Sequence, residues 1–359
     1  MNTPHEYVGN LHIHTHYSDG SGSHNDVAQA AIRAGLDFVV VTDHNVYVSG
    51  VEGYYYGERP DQRVLLLVGE EVHNPRQDPQ VNHLLVYGAE GELSIHAADP
   101  HKLLTEAGSH AASTFLAHPV ERAAPLFSEP ALPWVTWDIE GFTGIELWNT
   151  MSEFKSYLTT KVAAVHAALN PDTVLTGPFP ETVALWDKLL KDGRRIKVIG
   201  GADAHANTYT MGPISRQIFP YEFLFRCVNT HILTPIPLTG EFESDKKLVL
   251  NAIHEGQCFV GYDLPARSTG FRLTAQGHNT SAIMGEWLRL GHGVTLQIVC
   301  PQIASIRLVC DGEVVLEETK GTHRTFIATH PGAYRVEAYL AYKGKQRAWI
   351  FSNPIFIVP

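Results

Sequence analysis

The stretch DFVVVTDH, residues 37–44, places a run of β-branched residues directly before a Thr-Asp-His triplet. A short apolar run of this kind predicts a buried β-strand, and the polar triplet marks its end. Residues 1–205 contain six further runs of similar length. They are YVGNLHI (7–13), VLLLV (64–68), HLLVYG (83–88), STFLA (113–117), GIELW (144–148) and KVIGG (197–201). The sequence therefore predicts a series of seven strands.

Segments with helical spacing lie between these runs. HNDVAQAAIRAG (24–35) has apolar residues on one face, a candidate N-cap at Asn25 and a stop at Gly35. YLTTKVAAVHAALN (157–170) and ETVALWDKLLKDG (181–193) repeat the pattern. Strands that alternate with helices predict a parallel sheet with right-handed crossovers. Because polar residues gather where strands end, we predict an α/β fold based on a distorted seven-stranded (β/α)7 TIM-like barrel, with a site on the carboxyl-end rim.

The composition changes in the last third of the chain. Residues 206–240 predict a loop and short helix that close the site, followed by a linker, and residues 243–256 predict an amphipathic helix. Alternating runs from residue 271 onwards, separated by turn signals, predict a small antiparallel β-sandwich that packs against the barrel. The predicted units are a barrel over 1–240, a connecting helix over 241–264 and a β-sandwich over 265–359.

Composition bounds the class of function. The formal net charge of −11 at pH 7 disfavours nucleic-acid polymers, because phosphate backbones are bound mainly by Lys and Arg. The four cysteines show no CxxC spacing, which favours free thiols. The sequence shows no leader-like start and no run of about 18 apolar residues, so we expect a cytoplasmic protein with no membrane contact. No GxSxG, Walker or GxGxxG motif is present.

Metal-competent side chains occur at the predicted strand ends. Residues i and i+2 of a strand point to the same side, so His12 and His14 can face one cation, and Asp203 and His205 repeat this spacing. Imidazole and carboxylate ligands without nearby thiolates suit Zn²⁺, Mn²⁺ or Fe²⁺ in an open, catalytic type of site. Seven such residues share the predicted rim: His12, His14, His44, Glu71, His118, Asp203 and His205. Other histidines are expected to be structural, among them His16, His24, His96, His101, His110 and His166.

The ordered motifs His-x-His, Asp19, Thr-Asp-His, Gly-x-Glu, His83, Ala-His-Pro and Asp-Ala-His resemble those of the PHP (polymerase and histidinol phosphatase) superfamily. The resemblance spans about residues 8–235 and implies a distorted seven-stranded barrel with two or three divalent metals. One metal would be held by His12, His14, Glu71 and Asp203. Glu71 would bridge to a second, held also by His83 and His118. A third would be held by Asp19, His44 and His205.

Two further features refine this resemblance. Glu70 and Glu71 are adjacent, and the Gly-x-Glu spacing selects Glu71. The ending WIFSNPIFIV is similar to a module found behind some PHP domains, and the pattern of this region looks like the carbamate-hydrolase branch of the superfamily.

Charge then suggests a substrate class. Three divalent cations would bring +6 against −3 from the carboxylates, and the resulting positive pocket favours a small anionic substrate. The leading hypothesis is a phosphoesterase that uses a metal-bound hydroxide in a di- or trinuclear site, with Asp19, His44, Glu71 and His205 as catalytic residues. Hydrolysis of a carboxyl or carbamate ester or amide is the alternative, and a non-catalytic, metal-stabilised module is the second.

Candidate substrate contacts follow the predicted strands. They are Arg122, Asn149, Lys155 and Arg216. Guanidinium and ammonium groups commonly assist metals in binding phosphate, which is why the three cations are included. Asn45, beside His44, is a further candidate for a contact around the metals. A homodimer is possible.

Overall fold

A computed structural model describes residues 4–211 and 214–359 of the chain. Gly212 and Pro213, which begin the GPIS stretch before Arg216, lie outside the described residues, as do residues 1–3. The strands of the first part are β1 His5–Asn10, β2 Phe38–Val41, β3 Gly53–Tyr56, β4 Arg63–Val72, β5 Leu84–Tyr87, β6 Ser113–Leu116, β7 Gly144–Asn149, β8 Lys197–Gly201, β9 Asn207–Met211, β10 Ile214–Ile218 and β11 Val228–Thr234. The helices are α1 His24–Ala34, α2 Pro100–Ser109, α3 Thr150–Ser156, α4 Lys161–Leu169, α5 Pro180–Lys191, α6 Tyr221–Leu224 and α7 Phe242–Glu255.

The first helix begins differently from the prediction. Ser23, not Asn25, is the N-cap of α1, and its side chain and that of Asp26 form a reciprocal capping box. The Gly35 stop is present, in the left-handed conformation that glycine adopts without steric cost.

The central sheet of the first part is mixed. β1, β2 and β4 are parallel neighbours, and so are β6, β7 and β8. β5 runs antiparallel to both β4 and β6, which makes the all-parallel prediction wrong at this point. The connection from β4 to β5 contains no helix, and a parallel crossover needs a dozen or more residues, usually helical. Strand β3 adds antiparallel to β4.

The sheet does not form a closed barrel. β8 and β1 are related only through an isolated parallel bridge between Ile13 and Ala204, and no ladder joins these two strands within residues 4–211 and 214–359. The predicted TIM-like barrel is therefore not confirmed, whereas the mixed α/β class is.

The segment 206–240 contains more strand than predicted. β9 and β10 form a separate hairpin, and β11 lies antiparallel against β1. β11 is buried but contains polar residues, so its sequence lacks the apolar run that is typical of a buried strand. Thr230 donates to the carbonyl of Gly200 over 2.8 Å, and Asn229 donates to Asp263 over 3.0 Å, so neither polar side chain is left unsatisfied.

The second part is rich in β-structure, as predicted. After α7, which ends at Gly256 in the left-handed conformation, the chain forms β12 Cys258–Tyr262, β13 Arg272–Gln276, β14 Ser281–Ile283, β15 Trp287–Arg289, β16 Val294–Cys310, β17 Glu313–Ala328, β18 Gly332–Tyr342, β19 Lys345–Ser352 and β20 Ile355–Val358. Most pairs are antiparallel, but β15 and β20 are parallel. β12 pairs with both β11 and β19, so it joins the two parts. The exact domain boundaries stay a prediction.

Two further expectations from the sequence concern the cysteines and the membrane. All four cysteines are free. None of the helices that the structure describes combines the length and the apolar character that crossing a membrane requires.

Candidate metal centre

The ends of four strands bring histidines and carboxylates to one place. Beyond β1, the backbone NH of Ile13 bonds to the Thr42 hydroxyl at 3.1 Å, and that of His14 bonds to the carbonyl of Ala204 at 2.9 Å. These bonds hold the His-x-His segment between the ends of β2 and β8. Glu71 enters from within β4 rather than after it, because that strand extends to Val72.

Three overlapping groups of donor atoms consist of the predicted residues, and within each group the donor atoms lie within 4.8 Å of one another. The first group contains His12, His14, Glu71 and Asp203, the second Glu71, His83 and His118, and the third His14, Asp19, His44 and His205. All nine residues singled out by the motifs therefore converge. The third group also includes His14, which the resemblance assigned to the first metal alone.

Glu71 is the centre of this arrangement. Its side chain is buried, and its two oxygens face different groups. Oε2 lies 2.9 Å from His12 Nε2 and 3.1 Å from His14 Nε2, whereas Oε1 lies 2.8 Å from His83 Nδ1 and 3.2 Å from His118 Nε2. One carboxylate thus contributes one oxygen to the first group and the other oxygen to the second.

The third group lies towards solvent. His205 Nε2 lies 3.2 Å from Asp19 Oδ1, and His44 Nε2 lies 3.7 Å from Asp19 Oδ2. The Asp19 side chain is 55% exposed and that of His44 21%, whereas those of His12 and His14 are inaccessible. The first two groups are therefore the floor of the centre, and the third forms its mouth.

The donor atoms are arranged more like the ligands of a metal than like hydrogen-bond partners of one another. His14 Nε2 lies 3.1 Å from both Glu71 Oε2 and Asp203 Oδ1, yet it forms no hydrogen bond with either and is buried. Ligand atoms at about 2.0–2.2 Å from a tetrahedral cation are themselves separated by little more than 3 Å. A buried nitrogen close to two oxygens, but not aligned with them, is the arrangement that a shared cation would leave.

The carboxylates are kept ionised. Burial alone would raise the pKa of Glu71, but the charges of His12, His44 and His83 hold it well below its ordinary value. Asp203 behaves in the same way, since burial is outweighed by His12, His14 and His205. Ionised carboxylates are the form that binds cations.

Two buried carboxylates that the sequence reasoning did not assign to the site lie beside the ligands. Glu146, from β7, lies with Oε1 3.0 Å from His12 Nδ1. A carboxylate bonded in this way orients a metal-binding imidazole and fixes its tautomer. Glu121 lies with Oε2 3.4 Å from His118 Nδ1, an ion-pair distance without a hydrogen bond. The sequence signal for Glu146 is its position as the one charged residue within the GIELW strand.

Only some of the expected substrate contacts lie at the centre. Arg122 pairs with Glu181 at 2.8 Å, and Lys155 donates to Glu121 at 2.5 Å, so both cations are already neutralised by carboxylates. Asn149 caps α3 and lies 3.3 Å from Asp203 Oδ2. Arg216 is exposed on β10 and makes no ion pair with any described residue.

His73 also lies close to the centre, and Asn45 holds it there. The amide of Asn45 accepts from the His73 backbone NH at 3.0 Å. The donor atoms of His44, His73 and His83 lie within 4.8 Å of one another. However, the rings of His73 and His83 are nearly parallel, at 9° and 4.3 Å between centroids, so one cation cannot lie in the plane of both. The histidines predicted to be structural, including His24 and His166, belong to none of these groups in the described part of the chain.

Comparison with known proteins agrees with the motifs. The family model described as PHP domain matches residues 10–118, which agrees with the predicted resemblance. No curated protein matches the chain.

Two of the similar solved structures have low scores. A two-domain protein from Bacteroides vulgatus, containing a predicted PHP-like metal-dependent phosphoesterase, is 14% identical, with 99% of this chain and 96% of that chain covered and a TM-score of 0.42. A proposed metal-dependent phosphoesterase from Bifidobacterium adolescentis is also 14% identical, with 60% and 94% covered and a TM-score of 0.35. At these scores the two likenesses carry no argument for fold or function. The carbamate-hydrolase branch stays a prediction.

Proposed function

We propose that this protein is a metal-dependent hydrolase that cleaves a small phosphate ester at a centre of two or three divalent cations. The observation that supports this most directly is the sharing of Glu71 between two donor groups and of His14 between two. Cations held by shared ligands lie close together, and paired cations suit displacement at phosphorus because they can clamp both the entering and the leaving oxygen. The donor set of imidazole and carboxylate suits Zn²⁺, Mn²⁺ or Fe²⁺.

When bound, the cations would supply Lewis acidity and lower the pKa of water. The other roles belong to side chains of the protein. The buried Glu71 and the largely buried Asp203 stay ionised, and Glu146 bonds to His12 Nδ1 and to the backbone NH of His118. Asp19, His44 and His205, at the partly exposed mouth, are the residues that an entering substrate meets first. We assign catalytic roles to these three and to Glu71.

Charge supports an anionic substrate. The three carboxylates Asp19, Glu71 and Asp203 neutralise only half of the charge of three divalent cations, so the loaded centre is positive. It lies within a chain of net charge −11, which makes it a local exception that attracts small anions.

Arg216 is the candidate cation for binding the substrate. Asn207 at the start of β9 donates to the carbonyl of Asp19 at 2.9 Å, so this face of the hairpin borders the mouth. Tyr209, two residues later, shares that face, and the ladder places Arg216 directly opposite Tyr209. With Arg122 and Lys155 paired elsewhere, Arg216 is the one of the three predicted cations that is free to bind a phosphate group.

A reconstitution experiment tests this proposal. Metal-free protein is loaded with Zn²⁺, Mn²⁺ or Fe²⁺, its metal content is measured, and a phosphomonoester, a phosphodiester, a carboxyl ester and a carbamate are offered. We expect turnover of a phosphate ester that His14→Ala abolishes without unfolding the protein. His166→Ala, a change at an exposed residue of α4, is the matched control and should retain activity.

Three results would count against the proposal in different ways. A tenfold preference for the carboxyl ester or carbamate would replace the phosphoesterase by the alternative hydrolase. Stoichiometric metal without turnover of any ester would favour a structural module. Failure to bind metal would remove the basis of all three hypotheses.

A further inference from the structure

Glu146 is a deeply buried charged residue beside the centre that belongs to none of the donor groups. It lies in β7 between the core residues Ile145 and Leu147, and only 1% of its surface is exposed. A carboxylate so deeply buried needs partners, because an isolated buried charge is strongly unfavourable.

Both of its oxygens form hydrogen bonds, and each oxygen contacts a residue of a different donor group. Oε1 faces His12 Nδ1 at 3.0 Å, and His12 is in the first group. Oε2 accepts from the backbone NH of His118 at 2.9 Å, and His118 is in the second group. Oε2 also accepts from Asn149 Nδ2 at 2.9 Å.

Each contact restricts a ligand. A proton on His12 Nδ1, bonded to Oε1, leaves the lone pair of Nε2 directed at Glu71 and Asp203. The bond to the backbone of His118 holds that residue at φ 29°, a conformation that non-glycine residues rarely adopt. Asn149 uses its oxygen to cap α3, so its amide NH₂ is free to bridge Glu146 and Asp203.

We propose that Glu146 is a positioning residue that couples the first two donor groups, so that its loss weakens cation binding in both. This inference rests on the metal binding of the proposed function. Three N–H donors converge on the two carboxylate oxygens. Glutamine would offer one oxygen and one NH₂, so at least one of these donors would face another donor.

The test measures cation binding, not activity. Wild type, Glu146→Gln and Glu146→Asp are stripped of metal, checked for folding by circular dichroism, and titrated with Co²⁺, followed by calorimetry and by visible absorption, with bound metal counted. Aspartate keeps the charge and both oxygens but is shorter by one methylene. We expect both variants to lose about 10- to 100-fold in affinity at two sites.

Glu70→Gln is the matched control. Glu70 is also a buried glutamate, adjacent to Glu71, but it faces away from the centre and accepts from the backbone NH of Leu93 at 2.8 Å. We expect this variant to bind Co²⁺ like the wild type.

The outcomes separate this inference from the proposed function. If the wild type binds no Co²⁺, the proposed function fails and the inference fails with it. If the wild type binds and both Glu146 variants bind equally well, only the inference is overturned. Weakening at a single site overturns the coupling, and an aspartate variant that binds like the wild type shows that charge, not position, is what Glu146 supplies.

Discussion

Asn353 of the second part bonds to both backbone polar groups of Val198 in β8. Its Oδ1 accepts from the Val198 NH at 2.8 Å, and its Nδ2 donates to the Val198 carbonyl at 2.9 Å. The same Nδ2 lies 3.1 Å from the carbonyl of Cys258 in β12. A side chain from near the end of the chain therefore completes the hydrogen bonding of the strand that leads to Asp203 and His205.

Asn353→Ala should therefore destabilise the protein strongly. The change removes the side-chain partners of the buried NH and carbonyl of Val198, and a buried polar group left without a partner costs about 1–3 kcal/mol. We expect the free energy of unfolding, measured with denaturant on metal-free protein, to fall by about 3 kcal/mol. Asn279→Ala, at an exposed asparagine, should change it by less than about 0.5 kcal/mol. Equal effects of the two changes would show that the Asn353 bonds contribute nothing.

Gly201→Ala should damage the centre through its shape. A Cβ at this position would lie 2.7 Å from Glu146 Oε1 and 2.7 Å from His12 Cβ, so both side chains would have to move. We expect weaker binding of Co²⁺ and a loss of about 1–3 kcal/mol in the free energy of unfolding.

The control for this change is another glycine. A Cβ at Gly108, in α2, would meet no atom within 4 Å, so Gly108→Ala should preserve Co²⁺ binding and stabilise the helix by about 0.5–1 kcal/mol. Unchanged Co²⁺ affinity in Gly201→Ala would contradict the packing argument.

A second buried network predicts how stability changes with pH. His231 lies between Glu6, at 2.9 Å, and Asp263, at 3.1 Å. Arg272 also pairs with Glu6, and Asp37 lies nearby. Burial acts to lower the pKa of His231, but Asp263 and Glu6 raise it to about 9.

Because the pKa of His231 is higher in the folded protein than its ordinary value of 6.5, the folded state binds the proton more tightly. The resulting stability is complete below pH 6.5 and is lost as the pH rises through about 9. We expect His231→Gln to lower the free energy of unfolding at pH 6 and to approach the wild type at pH 9.5. A difference that does not change with pH would rule out this role of His231.

Two arginines should respond differently if the proposed function holds. Arg216 is exposed and has no ion pair among the described residues, whereas Arg122 is paired with Glu181 and lies over the ring of Phe179. Loss of a charged hydrogen bond to substrate costs about 1.5–3 kcal/mol, so Arg216→Ala should raise KM for the phosphate ester about tenfold or more. Arg122→Ala should leave KM unchanged. Both variants should bind Co²⁺ with the same affinity as the wild type. A larger effect at Arg122 would exclude Arg216 as the phosphate contact.

The motifs were sufficient to predict which side chains converge, because each is a local pattern at the end of a strand. His12 and His14, or Asp203 and His205, are close through their spacing alone, and the core strands that carry them are short apolar runs. The direction of β5 was harder to predict from the sequence. It depends on the short connection from β4, and the apolar run itself is the same for either direction.

Polar residues inside strands were the least predictable. Thr230 and Asn229 of β11 read as a loop, since their partners, Gly200 and Asp263, lie about 30 residues away along the chain. The ion pairs of Arg122 and Lys155 were equally hard to predict, because the carboxylates that pair with them cannot be identified from their spacing along the chain.

The sequence by itself determined the donor set of the centre and its order along the chain, because ligand type and strand-end position are properties of single residues and their immediate neighbours. The tertiary structure alone decided that Glu71 divides its two oxygens between groups, that Glu146 contacts both His12 and His118, and which arginine has no ion pair among the described residues. These are relations between atoms on different strands, and they are fixed only when burial forces each polar group to find a partner.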